Sequence, residues 1–173
     1  MEKHVNKRIE TEVTPLIGTA GFVIEGLYNW IFAMGGTPHI CIVADWPGNQ
    51  LPSTLPVQPQ RVELGEDGEA IDLPVIVLNI GQLATRGLTF YRGEDSDNPA
   101  DPVTHLLFSG RSKGEHFDGT VDVDSIMAVF MMEESGRGMS LGNNPALNDF
   151  INSKGKPNPP TKPAGKPTLM VVK

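Results

Sequence analysis

His39, Cys41 and Asp45 fall at alternating positions of HICIVAD, so in an extended segment they face one way. A thiol beside an imidazole is the pairing that activates a nucleophile or holds a metal. Nothing else in the chain completes such a site, and a small buried Cys and a His at the start of a strand are the ordinary structural use of these residues. Asp118, Asp122 and Asp124 lack the spacing and the central Gly of a calcium loop. GRSKG, at 110–114, lacks the Gly-Lys-Ser/Thr end of a phosphate loop. The residues therefore favour a binding module over an enzyme, with no catalytic set, no metal ligands and no cofactor expected.

The elements that would position such groups are mostly extended. Residues 39–45 are a β-branched run of strand length launched by Thr37-Pro38, and residues 73–80, LPVIVLNI, are the most continuous apolar stretch and read as a central strand. Further strands are expected at 88–92, 103–111 and 125–132, with a turn at 112–114 and weak alternation over 116–123. Residues 46–60 hold four prolines together with Gly48 and Asn49, which reads as loop with at most a short edge strand. Residues 61–72 are acidic with a turn at Glu66-Asp67-Gly68, and GEDSDNPADP, at 93–102, is an exposed acidic loop.

The strongest helix signal is GFVIEGLYNWIFAMG, residues 21–35, with Thr19 as a candidate N-cap and Gly35-Gly36 as the stop. Glu25, Gly26, Asn29 and Ala33 make one narrow stripe, and the remaining surface is more apolar than one packing face requires. Such a helix either packs wholly inside its own domain or shares its second face, at Leu27, Tyr28 and Ile31, with a second subunit. Residues 1–20 form a polar leader to which the sequence assigns no role. From 142 onward, apart from Phe150-Ile151, no packed structure is demanded, so 142–167 reads as a flexible linker.

The chain of 173 residues is long enough for one domain with tails, and its 39% hydrophobic content supports a real core. Five of the 14 basic residues and none of the 21 acidic ones lie in the last twenty positions, so the body carries 9 − 21 = −12. A body that acidic repels phosphate backbones and argues against nucleic acid as the main ligand. A single Cys excludes a disulfide framework and suits a reducing compartment, while no run has the length or purity of a signal peptide or a membrane span. The expectation is a soluble cytoplasmic protein.

The last twenty residues, KGKPNPPTKPAGKPTLMVVK, are basic and Pro-rich and close on an apolar cluster, Leu169, Met170, Val171 and Val172, followed by Lys173. Prolines fix φ and withhold N–H groups, so an extended tether is expected. Its apolar end at 168–173 reads as a hook that docks on another protein, or alternatively as an edge strand added to the chain's own sheet.

Several stretches in order resemble the stringent starvation protein B (SspB) family, adaptors of the ClpXP protease. LYNWIFAMGGTPHICIVAD is similar to that family's aromatic helix, its Thr-Pro-His turn and its first strand. IVLNI at 76–80 followed by Ala84-Thr85, Phe108-Ser109-Gly110-Arg111 where the family has Phe-Asn-Ala-Arg, AVFMMEESGRG at 128–138, and the terminal GKPTLMVVK extend the likeness over 21–141 and the tail. Ser109 and Gly110 depart from the family's Asn and Ala, Met170 from its Arg, and two loops look inserted. The resemblance implies a mostly β, Sm-like barrel or sandwich with an N-terminal helix that pairs two subunits into a homodimer. It implies a groove at Ala84, Phe108, Ser109, Gly110 and Arg111 that takes the ssrA tag of substrate proteins as an extended peptide. It also implies a tail, Leu169 to Lys173, that docks on the N-terminal zinc-binding domain of ClpX. In this reading Arg111 offers a cation to the acidic part of the tag; on residues alone it reads as a solvated strand-end charge pairing with Glu115 or Asp118. An Sm-like RNA-binding or ribosome-associated module is the alternative from another class, and a decoy that binds ClpX without a tag is a third.

Overall fold

The computed structural model describes residues 19–64, 69–94, 96, 98–133, 137–141 and 144–155. The expectations for the leader up to residue 18, for most of the linker and for the hook at 168–173 therefore lie outside the described residues. Curled antiparallel sheets form a half-barrel, mostly β, closed by an N-terminal helix. Helix α1 (Thr19–Ala33) is followed by β1 (Pro38–Val43), β2 (Gln58–Leu64), β3 (Glu69–Asn79), β4 (Arg86–Tyr91), β5 (His105–Ser112), β6 (Glu115–Asp122), β7 (Ile126–Met131), β8 (Gly138–Ser140) and helix α2 (Pro145–Gly155). Among the described residues one sheet runs β2-β3-β1-β7-β8 and the other β4-β5-β6.

Helix α1 stops where its glycines allow. Gly35 takes φ 75°, and the N–H groups of Gly35 and Gly36 return to the carbonyls of Phe32 and Ile31, both at 3.0 Å, which satisfies two of the helix's last acceptors. The helix buries Ile24 and Ile31 completely, with Leu27 and Tyr28 half-buried against the same core, and Tyr28 meets the Phe90 ring edge-on at 5.3 Å. The face expected to pair with a second subunit is thus turned inward: Ile31 has no exposure at all. The outward apolar residues are instead Phe22, Trp30, Phe32 and Met34. Nor is the polar stripe free, since Glu25 pairs with Arg92, whose Nε and Nη1 also donate to the carbonyls of Asp101 and Phe90 at 3.1 Å.

Strand β1 is the middle of its sheet, in register with β3 on one side (Ile40 opposite Leu78) and β7 on the other (Ile40 opposite Val129). Both its faces are covered. Ile40 and Ile42 join Ile24, Ile31, Leu106 and Val121 in the main core, while Val43 joins Leu73, Val75, Leu147 and Ile151 in a second one. Burial on both faces is why β1 reads as an unbroken apolar run; β3 is buried on both faces at Leu73, Val75, Ile76 and Leu78 but leaves Val77 exposed.

Two expectations are corrected here. Residues 58–64, read as the end of a loop with at most a short edge strand and the start of an acidic segment, form β2, an exposed edge strand that runs on into the acidic segment and pairs with β3 from Gln58 opposite Val75 to Leu64 opposite Glu69. Pro59 is tolerated because an edge strand has one unpaired side. The second failure is the linker, whose stretch Pro145–Gly155 is helix α2. Asn144 caps it, its Oδ1 accepting from the Ala146 N–H at 3.1 Å while its Nδ2 donates to Asp124 Oδ1 at 3.1 Å, and Pro145 opens the first turn where its missing N–H costs nothing. Leu147 and Ile151, one turn apart, are buried against Leu73 and Val75, and Phe150 packs on Trp46 at 4.8 Å between ring centres. Lys154 sits 5.0 Å from the Phe150 ring centre and pairs with Asp45.

Candidate peptide-binding cleft

Strand β5 carries four of the five expected groove residues, and the alternation of a strand divides them. Leu106, Phe108 and Gly110 point into the half-barrel and are buried, whereas Ser109 and Arg111 point outward. The β5–β6 hairpin closes at Lys113 (φ 50°) and Gly114 (φ 89°), both left-handed, as a two-residue hairpin loop of this twist requires. That turn sets a register in which Phe108 faces Gly119 and Gly110 faces Phe117.

On the inner face each ring lies over the opposing glycine. A Cβ on Gly119 would meet Phe108 Cζ at 2.8 Å, and one on Gly110 would meet Phe117 Cζ at 2.9 Å. The two rings meet edge to face, with centroids 6.1 Å apart. Gly110 is small, as expected, but the space it leaves is filled by Phe117 and is not open to an approaching chain.

The outer face is polar and paired. Ser109 Oγ donates to Asp118 Oδ1 at 2.6 Å, and Arg111 donates through Nε and Nη2 to His116 Nε2 at 3.0 and 2.7 Å. Arg111 therefore engages neither Glu115 nor Asp118; the register places His116 directly opposite it, and Asp118 is taken by Ser109. Ala84 is exposed in the turn before β4, with its N–H bonded to Gly81 O at 3.0 Å. Arg86, two residues on, pairs with Ser109, so Ala84 lies at the Ser109 end of the edge strand β4.

The loop between β1 and β2, read from sequence as connection alone, builds the concave part of the site. Asn49 fastens it: Nδ2 donates to Val43 O at 3.0 Å, and Oδ1 accepts from the Asp122 N–H at 3.0 Å and from Ser125 Oγ at 3.1 Å. Gln50 forms a two-bond bridge with Thr120, at 2.8 and 3.0 Å, and Thr54 Oγ1 donates to Ser112 Oγ at 3.0 Å. Thus tied across β6 and the end of β5, the loop places Leu51 against Phe108 and encloses a cleft of about 140 Å³ lined by Asn49, Leu51, Pro52, Leu55, Val57 and Ile76. Val57 is 54% exposed at its mouth. A legible signal existed: three aliphatic residues, Leu51, Leu55 and Val57, recur in a stretch whose prolines suggest only a turn.

The residues with nominal chemistry have structural partners. His39 Nδ1 lies 3.0 Å from Thr37 O and its ring stacks on Phe130, Cys41 packs in the α2 core, where burial pushes its thiol above its ordinary value, and Asp45 holds Lys154. Asp122 accepts from Trp46 Nε1 at 3.0 Å and from the Asp124 N–H at 2.9 Å. Among the described residues no group of His, Cys, Asp and Glu has the arrangement of a metal site, and no helix is long and apolar enough to cross a membrane.

No protein-family model matches the chain, and no curated protein matches it.

Proposed function

We propose that the protein is a peptide-binding adaptor that holds tagged substrates at the cleft between loop 49–57 and Ile76 of β3, near Phe108 of β5, and delivers them through its basic, apolar-ended tail. The observation that carries this reading is a cleft with the aliphatic side chains Leu51, Leu55, Val57 and Ile76, next to Phe108, the first residue of the stretch Phe108-Ser109-Gly110-Arg111 that resembles the tag-binding strand of the SspB family. Phe108 supports the wall of the cleft through Leu51, and Arg111 supplies a cation on a body of charge −12, where an acidic peptide needs local compensation. Leu55 and Val57 offer an aliphatic pocket for one peptide side chain, while the unpaired edge of β4 offers backbone partners.

In this proposal the partners are the zinc-binding domain of ClpX, for Leu169 to Lys173, and ssrA-tagged proteins, for the cleft. Tethering raises the effective substrate concentration to about millimolar without chemistry by the adaptor. Helix α2 ends at Gly155 and 18 residues follow it; a coil of that length would span roughly 21–25 Å. The exposed stripe around Phe22 and Trp30 is the surface through which two copies pair, giving two tails per particle.

A delivery assay tests the reading. Removing Leu169 to Lys173 abolishes the acceleration of tagged-substrate degradation by ClpXP and leaves binding of the tag peptide unchanged; normal acceleration by the truncated protein refutes the tether.

A further inference from the structure

The free edges of the two sheets differ. Strand β8 is three residues long, β4 breaks its register between Arg86 and Thr89, and β6 is bridged on its outer side at Thr120 by Gln50. Devices of this kind keep a sheet edge from pairing with another chain. Strand β2 has none of them beyond Pro59: it pairs with β3 without a break from Gln58 to Leu64, and its other side meets no strand among the described residues. The ladder fixes which groups point there. Pro74 O accepts from the Ala44 N–H at 2.8 Å, so Pro74 turns to β1, its opposite number Pro59 turns outward, and by alternation so do the N–H and C=O groups of Arg61 and Glu63. The Arg61 carbonyl carries only the exposed Gln60 amide, at 3.3 Å.

We infer that this edge pairs with the same edge of a second copy of the chain, antiparallel about a two-fold axis at Val62. In that register Arg61 stands opposite Glu63 of the partner subunit and Glu63 opposite the partner's Arg61, and in each pair the N–H of one residue meets the C=O of the other. Both side chains are exposed, and neither has a hydrogen-bond or ion-pair partner among the described residues, although Asp72 faces Arg61 across the β2–β3 ladder. Opposite charges facing each other across an antiparallel pair favour it and like charges oppose it. Shifting the pairing by two residues in either direction sets Arg61 against Arg61 or Glu63 against Glu63, so charge selects this register. Pro59, which cannot donate, falls beyond Leu64 of the partner subunit, outside the paired stretch. At the axis the two copies of Val62 form a non-bonded pair with Cα atoms about 4.5 Å apart, on the face where Val62 and Leu64 pack with the α2 core.

A two-fold contact sets one patch against itself, and this edge is its own complement in both backbone groups and charge. An unrelated peptide fits only by supplying an acid and a base in the same alternation, which β2 itself supplies. The contact lies on a different element from the α1 stripe, and residues 58–64 do not line the cleft, so its failure leaves the peptide-binding reading standing. A single strand pair is a small contact of the transient class, and trapping is the way to read it.

The test uses the full chain with Cys41→Ser and Trp30→Asp, which remove the single native thiol and the proposed helix contact, and with Val62→Cys as a trap on the axis, where two thiols fall within disulfide reach. Disulfide-linked dimer is measured in a glutathione redox buffer at equal protein concentrations. The edge pairing predicts at least about tenfold more linked dimer than with Gln58→Cys, a more exposed thiol that lies far from its counterpart in this register. Adding Arg61→Glu lowers the Val62→Cys yield at least about fivefold, and Arg61→Glu together with Glu63→Arg, which exchanges the charges and keeps the match, restores it. Equal yields from Val62→Cys and Gln58→Cys, an Arg61→Glu variant that links as well as its parent, or a charge exchange that restores nothing each overturn the proposal. So does linking that appears only after Leu169 to Lys173 are removed, which would mean that the chain's own tail covers the edge.

Discussion

The two sheets of the half-barrel are built for different tasks. The middle of the five-stranded sheet is covered on both faces at β1, by α1 and the opposite sheet on one side and by α2 on the other, and β1 and β3 place aliphatic residues in both cores. The three-stranded sheet is covered on one face only. Its outer face carries the pairs Ser109–Asp118 and Arg111–His116, and its inner face trades side-chain bulk for two glycines under two rings. The first sheet contributes to both cores, while the second contributes to one and is open at the β4 edge.

The largest expected effect breaks this contrast directly. Ile40→Ala in β1 costs about 2–5 kcal/mol, because a fully buried side chain is removed from a tightly packed core. His116→Gln on the outer face of β6, where the residue is exposed, changes stability by no more than about 0.5 kcal/mol. Urea midpoints decide it; comparable losses for the two would erase the distinction between the sheets.

Next in size is the cover that α2 supplies. Leu147→Ala, at 2% exposure, costs about 2–4 kcal/mol, and Asn144→Ala about 1 kcal/mol through the lost cap. Both variants speed tryptic cleavage at Lys154. If Leu147→Ala leaves stability and cleavage unchanged, α2 is not a fixed part of the second core.

The contrast also explains what the sequence could say. Strands buried on two faces announce themselves as apolar runs, so β1, β3 and β7 are legible, and α1 is legible from its apolar periodicity and its Gly35-Gly36 stop. Residues that are structural only through their partners are not. Strand β2 is polar because it is an edge, and α2 shows one buried pair, Leu147 and Ile151, in a segment otherwise polar enough to pass for linker. Four of the five residues that the resemblance assigns to a groove fall on β5, but their division between two faces is a matter of strand alternation and pairing, and the filling of Gly110's space by Phe117 is a cross-strand contact that no spacing within one strand reveals. The cleft's own wall, Leu51 to Val57, carries a signal in its three aliphatic residues, but the prolines among them read as a turn.

Smaller effects sharpen the reading of the second sheet. Gly110→Ala drives Phe117 out of its seat and costs about 1–3 kcal/mol as overpacking, whereas Gly110→Ala combined with Phe117→Leu recovers part of it. Additive losses in a double-mutant cycle would show that the ring and the glycine are not coupled.

The smallest effect separates an exposed charge from both sheets. Glu133 accepts from the Thr37 side chain and, at 3.1 Å, from the Thr37 N–H, which together hold its carboxyl below its ordinary value. A lowered folded-state value means that its contribution is present above the unfolded value, about 4.3, and is lost as pH falls through the folded one. The gap in urea midpoint between the native chain and Glu133→Gln should therefore be widest at neutral pH and close at acid pH; a gap independent of pH would contradict the assigned hydrogen bonds.

The most direct measurement of the central claim is fluorescence anisotropy with a labelled ssrA peptide. The account predicts saturable binding that weakens at least about tenfold in Val57→Asp, at the mouth of the cleft, and by about 1–3 kcal/mol in Arg111→Gln, with the Arg111 loss shrinking at high salt. Absence of binding by the native chain, or unchanged affinity in both variants with folding intact, would contradict it.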